Sequence, residues 1–213
     1  KNRSQVFGYY DHNMLVMTER LSDHLPKTEE YTPKQRLWYI RAKEVVISSG
    51  SIERPLVFGN NDTPGVILSS AAKEYMKVYG VLVGRKPIIF TNNDSGYETA
   101  IEFKKNEIDA LVLDTRKDPK SDIINEAKSL NIEIKFSYVV VAANGYKKVK
   151  SADISKISHD KKKLSVIENV SCDCICVSGF WTPSIHLASQ SGNKSRFSEE
   201  IDAFIPDKSK QNE

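Results

Sequence analysis

The stretch best equipped for chemistry follows the apolar strand at Ile88, Ile89 and Phe90 in this 213-residue chain. A dinucleotide-binding turn carries Gly-x-Gly-x-x-Gly at that place. The first glycine permits the tight turn, the second lets a pyrophosphate approach the backbone, and the third lets helix and strand pack closely. Here the turn reads Thr91-Asn92-Asn93-Asp94-Ser95-Gly96, so only the third slot keeps its glycine. Asn93 puts a side chain where the pyrophosphate lies. Asp94 adds negative charge beside the helix N-terminus that would hold a phosphate. Asp114, about 20 residues on at the end of the next strand, stands in the ribose-binding slot, although Asp is also a common turn former at strand ends. Asn and Asp tolerate left-handed backbone, so the turn survives without its glycines. The pattern reads as a dinucleotide unit that has kept its fold and lost its ligand.

A second group is Cys172, Cys174 and Cys176. On a strand, alternate residues face the same way, so the three thiols are expected on one face. Zinc would need a fourth ligand and a C-x2–4-C spacing that wraps the ion. The C-x-x-C of a redox pair is missing. Small core cysteines are the expected role. His12, His24, His159 and His186 are scattered. His186, among Trp, Thr and Pro, is the one placed best to be near a ligand. Glu53 and Arg54 beside Pro55 read as an interface or surface pair.

A third group is a pair of strand tips, Ser48-Ser49-Gly50 and Ser178-Gly179-Phe180. Ligands of open α/β sheets bind outside the carboxyl ends of strands, and small residues there let backbone N–H groups approach a cofactor. The two tips flank the central strand–helix region. Gly50 and Gly179 would then mark where the chain leaves one domain and returns to it.

The positioning elements follow from periodicity. Val6–Tyr10 and Met14–Thr18 form a hairpin with a three-residue turn, and residues 22–35 form a loop. Residues 37–40 and 45–47 are short strands. Residues 59–65 are a connector. Ser69 or Ser70 caps a helix running to Tyr79, with Gly80 as its left-handed C′ residue and Ala72, Tyr75, Met76 and Tyr79 on one face. Strands at 88–90, 111–113 and 132–136 alternate with helices at 95–105 and 123–130, giving a β-α-β-α-β unit with a parallel sheet. Strands at 138–142, 147–157 and 164–170 form an antiparallel meander with turns at Asn144-Gly145 and His159-Asp160-Lys161. A strand at 173–177, a helical turn at 201–204 and a frayed tail at 208–213 complete the reading. The expected fold class is α/β: a Rossmann-like unit plus meander inserted into a second, β-rich domain. The expected boundaries are 1–62, 63–170 and 171–213.

Composition narrows the function classes. Thirty-one Lys+Arg against 28 Asp+Glu give a net charge of +3, with the two signs interspersed. No basic stripe points to nucleic acid, and Lys161–Lys163 reads as a solvated turn. No apolar run reaches the roughly 18–20 residues needed to span a bilayer, and no leader-like apolar region is present. Three clustered cysteines are not a secreted disulfide framework. A cytoplasmic chain is expected. It opens at Lys1 close to a strand, which reads as a piece of something longer.

Arg41-Ala-Lys-Glu-Val-Val-Ile-Ser-Ser-Gly50 resembles the second flavin-domain motif of the glutathione-reductase-like superfamily, and Cys172-Asp-Cys-Ile-Cys-Val-Ser-Gly179 resembles its return motif. Longer stretches are similar to the alpha subunits of heterotetrameric sarcosine oxidases. They include Phe7–Asp11, Gln35–Lys43, Ile52–Phe58, Thr91–Ser95 and Ser178–Gly192. The resemblance implies a nicotinamide-type domain inserted into a partial flavin-like domain. It also implies a parent enzyme that oxidises sarcosine to glycine with oxygen, giving peroxide and, with tetrahydrofolate, methylene-tetrahydrofolate. The parent alpha subunit would hold tightly bound NAD. FAD, FMN and tetrahydrofolate would sit outside this stretch, and the beta, gamma and delta subunits and the rest of the alpha subunit would be its partners. By position, the NAD cleft would be lined by Val6, Ser49, Gly50, Ser178, Gly179, Phe180, Trp181 and Thr182, with no catalytic residue and no metal. The rival expectations are a self-sufficient NAD(P)H-dependent reductase domain, the alpha subunit of a related amine or proline dehydrogenase, and an interaction module anchored on Tyr9, Tyr10 and Trp38.

Overall fold

The apolar runs Pro87–Thr91 and Cys174–Ser178 are buried along their whole length, as strands covered on both faces must be. They set the centre of the fold. The computed structural model describes residues 1–158, 167–192 and 194–207. In chain order the elements begin with β1 (Ser4–Tyr10), β2 (Met14–Arg20), β3 (Gln35–Arg41) and β4 (Ser51–Glu53). Next come β5 (Val66–Leu68), α1 (Ser69–Tyr79), β6 (Pro87–Thr91), α2 (Ser95–Lys105) and β7 (Leu111–Asp114). Then follow α3 (Asp122–Ser129), β8 (Glu133–Phe136), β9 (Tyr138–Asn144), β10 (Ser151–Lys156) and β11 (Glu168–Ser171). The last are β12 (Cys174–Ser178), β13 (Trp181–Pro183), α4 (His186–Gln190), β14 (Ser195–Ser198) and β15 (Ala203–Pro206).

Contacts divide the chain into two units. One joins Lys1–Ile52 to the segment from Thr182 onward, and the other is Glu53–Trp181. In sequence, the second is therefore inserted into the first. The second unit holds a five-stranded parallel sheet in the order β5-β12-β6-β7-β8. The expected β-α-β-α-β run is β6-α2-β7-α3-β8. β12, which by sequence belongs to the return segment, lies between β5 and β6 in this sheet.

Period-two alternation sorts the core. Ile89, Cys174 and Cys176 face Ala72 and Met76 of α1, Tyr97, Ala100 and Phe103 of α2, and Ile124 of α3. Ile88, Phe90, Ile175 and Val177 pack with Val140, Ala152 and Ile154 of the antiparallel sheet β11-β10-β9. Each fully buried Ile or Phe contributes about 1.5–3 kcal/mol. The expected turn at 159–161, the Lys161–Lys163 run and the start of the third meander strand lie outside the described residues.

α1 ends as expected, with Gly80 at φ 64° and its N–H bonded to Tyr75 O. Its start differs. No side chain of Ser69 or Ser70 caps it. The Glu53 carboxylate accepts the Ser70 N–H at 2.8 Å instead. The expected apolar face is also narrower, since Ala72 and Met76 are buried but Tyr75 and Tyr79 are exposed. α1 follows the edge strand β5, so the rest of the unit covers only one side of it.

In the first unit, β1, β2 and β3 form an antiparallel meander, with His12 and Asn13 at positive φ in the hairpin turn. The Trp38 indole donates to Glu19 Oε2 at 2.7 Å. Residues 45–47 form no strand, because no strand among the described residues pairs with them; a strand forms at Ser51–Glu53 instead. The expected helical turn at 201–204 is replaced by the hairpin β14–β15. The Phe197–Phe204 pair, with ring centroids 5.3 Å apart, ties that hairpin and outweighs a single unsupported helical turn. The tail from 208 lies outside the described residues. β4 and β13 form a two-stranded sheet. Among the described residues, no helix is long and apolar enough to cross a membrane.

Candidate functional site

The carboxyl ends of β12, β6 and β7 lie side by side in the second unit, bringing Ser178, Thr91 and Asp114 into register. Such a row is where open α/β sheets bind ligands. Gly96 does the work of the fingerprint's third glycine. A Cβ there would lie 2.7 Å from Thr91 Cβ, so its absence lets α2 sit against β6.

Asn93 occupies the middle of the turn. Its Nδ2 donates to Ser178 O and Ser178 Oγ, both at 3.2 Å. Its Oδ1 accepts the Ser95 N–H at the start of α2 at 2.8 Å. Thr91 Oγ1 closes the loop, accepting the Asn93 N–H at 3.1 Å and donating to Asn93 O at 2.8 Å. The helix amide that would meet a phosphate is thus bonded to a side chain of the turn itself.

Asp114 is fully buried. Its Oδ2 accepts the Tyr97 hydroxyl at 2.7 Å and Arg116 Nη2 at 2.8 Å. Its Oδ1 accepts the Arg116 N–H at 2.9 Å and Arg116 Nε at 3.1 Å. The same guanidinium reaches back, with Nη1 2.8 Å from Asp94 Oδ1. Burial alone would lower the Arg116 pKa, but bonds to the Asp114 and Asp94 carboxylates hold it above its ordinary value. Burial, followed by Asp114, pushes the Tyr97 phenol well above the usual range. Sequence reading found Asn93, Asp94 and Asp114 but missed Tyr97 and Arg116. The signal for Arg116 was its place two residues after an Asp at a strand end, where a side chain can fold back on the carboxylate.

The eight expected cofactor residues fall into two sets. Val6, Ser49, Gly50 and Thr182 belong to the first unit, and Ser178, Gly179, Phe180 and Trp181 to the second. Gly50 is exposed at φ 67°, and a Cβ there would meet nothing within 4 Å. Ser49 Oγ donates to Ser184 O at 2.6 Å, and the Ser184 N–H donates to Gly50 O at 2.9 Å. Ser178 is buried against Asn93. Gly179 meets the chain's own backbone, since its N–H donates to Arg54 O at 2.7 Å and a Cβ would lie 2.9 Å from that oxygen. Phe180 holds φ 69° and is 39% exposed. The Trp181 indole donates to Ser95 Oγ at 2.7 Å, at the start of α2.

The three cysteines are free and buried, but they do not share one face. Cys174 and Cys176 point to the helices, with their sulfurs 3.4 Å apart, whereas Cys172 packs in the other core. Cys172 lies before β12 begins, so strand alternation does not reach it. Glu53 is not a surface residue. It is buried, caps α1 and leaves Oε1 without a hydrogen-bond partner. His186 is exposed at the start of α4. No group of three His, Cys, Asp or Glu able to hold a metal ion occurs among the described residues.

No protein-family model matches the chain. It is 34% identical to the sarcosine oxidase subunit alpha of Rhizobium meliloti (strain 1021) over 204 residues, 95% of this chain and 20% of that protein. It is 32% identical to that of Corynebacterium sp. (strain P-1) over 208 residues, 96% of this chain and 21% of that protein. The chain therefore spans about a fifth of the length of these relatives. Among solved structures, thioredoxin reductase of T. acidophilum matches with a TM-score of 0.63 at 15% identity, over 92% of this chain and 58% of that one. L-proline dehydrogenase of P. horikoshii matches with a TM-score of 0.58 at 22% identity, over 96% of this chain and 32% of that one. These structural likenesses establish the α/β fold of such oxidoreductases. Over nearly its whole length, the chain is similar to one stretch, about a fifth, of the sarcosine oxidase alpha subunits.

Proposed function

We propose that this chain is the cofactor-domain stretch of a sarcosine-oxidase-like alpha subunit and helps to form a cleft for tightly bound NAD. The observation that carries this reading is the 34% identity running through 95% of the chain. On this reading, the parent enzyme oxidises sarcosine to glycine with oxygen, yielding peroxide and, with tetrahydrofolate, methylene-tetrahydrofolate. FAD, FMN and tetrahydrofolate belong to other parts of a cytoplasmic complex. The partners are the beta, gamma and delta subunits and the rest of the alpha subunit.

The residues assigned to the NAD cleft are Val6, Ser49, Gly50 and Thr182, with the Ser178–Trp181 loop leading into them. Gly50 supports the assignment: its positive φ and the open space beside its Cα give a cofactor access to backbone. Ser49 steadies that tip through Ser184. Ser178 and Gly179 shape the loop from within. NAD, when bound, supplies a nicotinamide that can take or give hydride. The chain's own part is to bind and orient it.

A second reading, the alpha subunit of a related amine or proline dehydrogenase, is favoured by the likeness to L-proline dehydrogenase. Substrate assays of the parent complex separate the two: turnover of sarcosine supports the first reading, and turnover of proline alone replaces it. Calorimetry of NAD with the intact parent subunit tests the cleft. Tight binding, weakened about tenfold or more by Gly50→Val, is expected. No binding by the intact subunit overturns the assignment.

A further inference from the structure

We infer that the crevice at the carboxyl ends of β12, β6 and β7 is closed to dinucleotides by three of the chain's own side chains, Asn93, Asp94 and Arg116, which make the contacts a bound dinucleotide would make. This rests on the geometry of the second unit and not on the proposed NAD cleft.

A dinucleotide in such a crevice needs three things: a bare backbone beside its pyrophosphate, free amides at a helix N-terminus, and a carboxylate free to accept from ribose hydroxyls. All three are used internally. The backbone approach is filled by the Asn93 side chain, which bridges the turn to Ser178 at 3.2 Å. The first amide of α2, that of Ser95, donates to Asn93 Oδ1 at 2.8 Å. The carboxylate, Asp114, takes the Tyr97 hydroxyl at 2.7 Å and three donors of Arg116 at 2.8–3.2 Å, leaving no lone pair for a ligand. Arg116 completes the closure. Its remaining arm meets Asp94, so a carboxylate of the turn takes the place of an anionic ligand.

The closure also accounts for how the turn has lost glycine at 91 and 93 without losing its shape. Asn93 and Thr91 replace backbone freedom with specific hydrogen bonds. Asp94 repels phosphate, and Arg116, already paired with Asp114, also holds Asp94 at the turn. The group therefore decides where on this chain a nucleotide is refused.

The test is hydrogen–deuterium exchange of the full 213-residue chain with and without NADH, because exchange reports location as well as binding. In the wild type, no change is expected at amides 91–97 or 114–116. In the double variant Asn93→Gly, Asp94→Ala, NADH is expected to protect those amides, with binding about tenfold or more tighter than wild type. Protection of 91–97 in the wild type overturns the proposal. Absence of protection in both proteins also overturns it, because Asn93 and Asp94 would then not be what bars the phosphate side of the crevice. If the double variant does not fold, the single Asn93→Gly variant and the wild-type arm carry the same test. Protection confined to 47–52 bears on the proposed NAD cleft and leaves this inference untouched.

Discussion

Gly96 is the one glycine of the dinucleotide fingerprint still in place, and Thr91 explains its retention. A Cβ at 96 would sit 2.7 Å from Thr91 Cβ. Gly96→Ala is expected to cost about 1–3 kcal/mol through overpacking, read as a lower denaturant midpoint at unchanged slope. Tyr97→Phe removes one bond to the buried Asp114 carboxylate and is expected to cost about 1.5–3 kcal/mol, with Arg116 still paired to Asp114. Cys172 gives a pH dependence. Burial pushes its thiol up to about 12 from an ordinary value of 9.0. The unfolded thiol ionises near 9.0, whereas the folded one holds its proton to about 12. Stability is therefore complete below that lower value and falls as pH rises towards the upper one. Thermal melts across this range should show the decline, and Cys172→Ala should make it shallower, the buried Cys176 thiol, also held well above its ordinary value by Cys174 and burial, supplying the rest. At this scale the sequence showed Asn93, Asp94 and Asp114, because their types break a known pattern. Arg116 was missed, since its place two residues after Asp114 allows the side chain to fold back, but its identity alone does not say that the guanidinium meets two carboxylates.

At the scale of elements, local signals worked where they agreed with the packing. Gly80 ends α1 at φ 64° with open space beside it, so Gly80→Ala adds backbone strain alone. The expected cost is about 1–2 kcal/mol, with Asn better tolerated than Ala; chemical denaturation of the two variants gives the comparison. The start of α1 was misread because Ser69 and Ser70 are good caps by type, while the carboxylate that takes the Ser70 amide arrives from Glu53. Residues 45–47 have strand-like composition but lack a neighbouring strand. Residues 201–204 pair with 195–198 because Phe197 and Phe204 meet across the hairpin. Short apolar runs carry too little periodicity to choose between helix and strand, and a partner makes the choice.

At the scale of the whole molecule, the two units differ in how much they bury. The second carries both core clusters around β6, β7 and β12, whereas among the described residues of the first the buried apolar side chains are Val16, Ala188 and Ala203. Amide exchange should follow that difference. Protection is expected to be highest in β6, β7 and β12, and lowest in residues 42–50 and the outer strands of the first meander. Equal protection across both units would contradict it. What the sequence determined by itself was the alternation of strand and helix from 87 to 136, the meander after it, and the loss of the glycines at 91 and 93. These follow from period and residue type, which are local properties. Only the tertiary structure decided that β12 runs between β5 and β6, that the three cysteines divide between two cores, and that Arg116 and Asn93 close the crevice. Each of those facts depends on residues far apart in sequence meeting in space, and strand pairing and hydrogen-bond geometry settle such meetings where composition cannot.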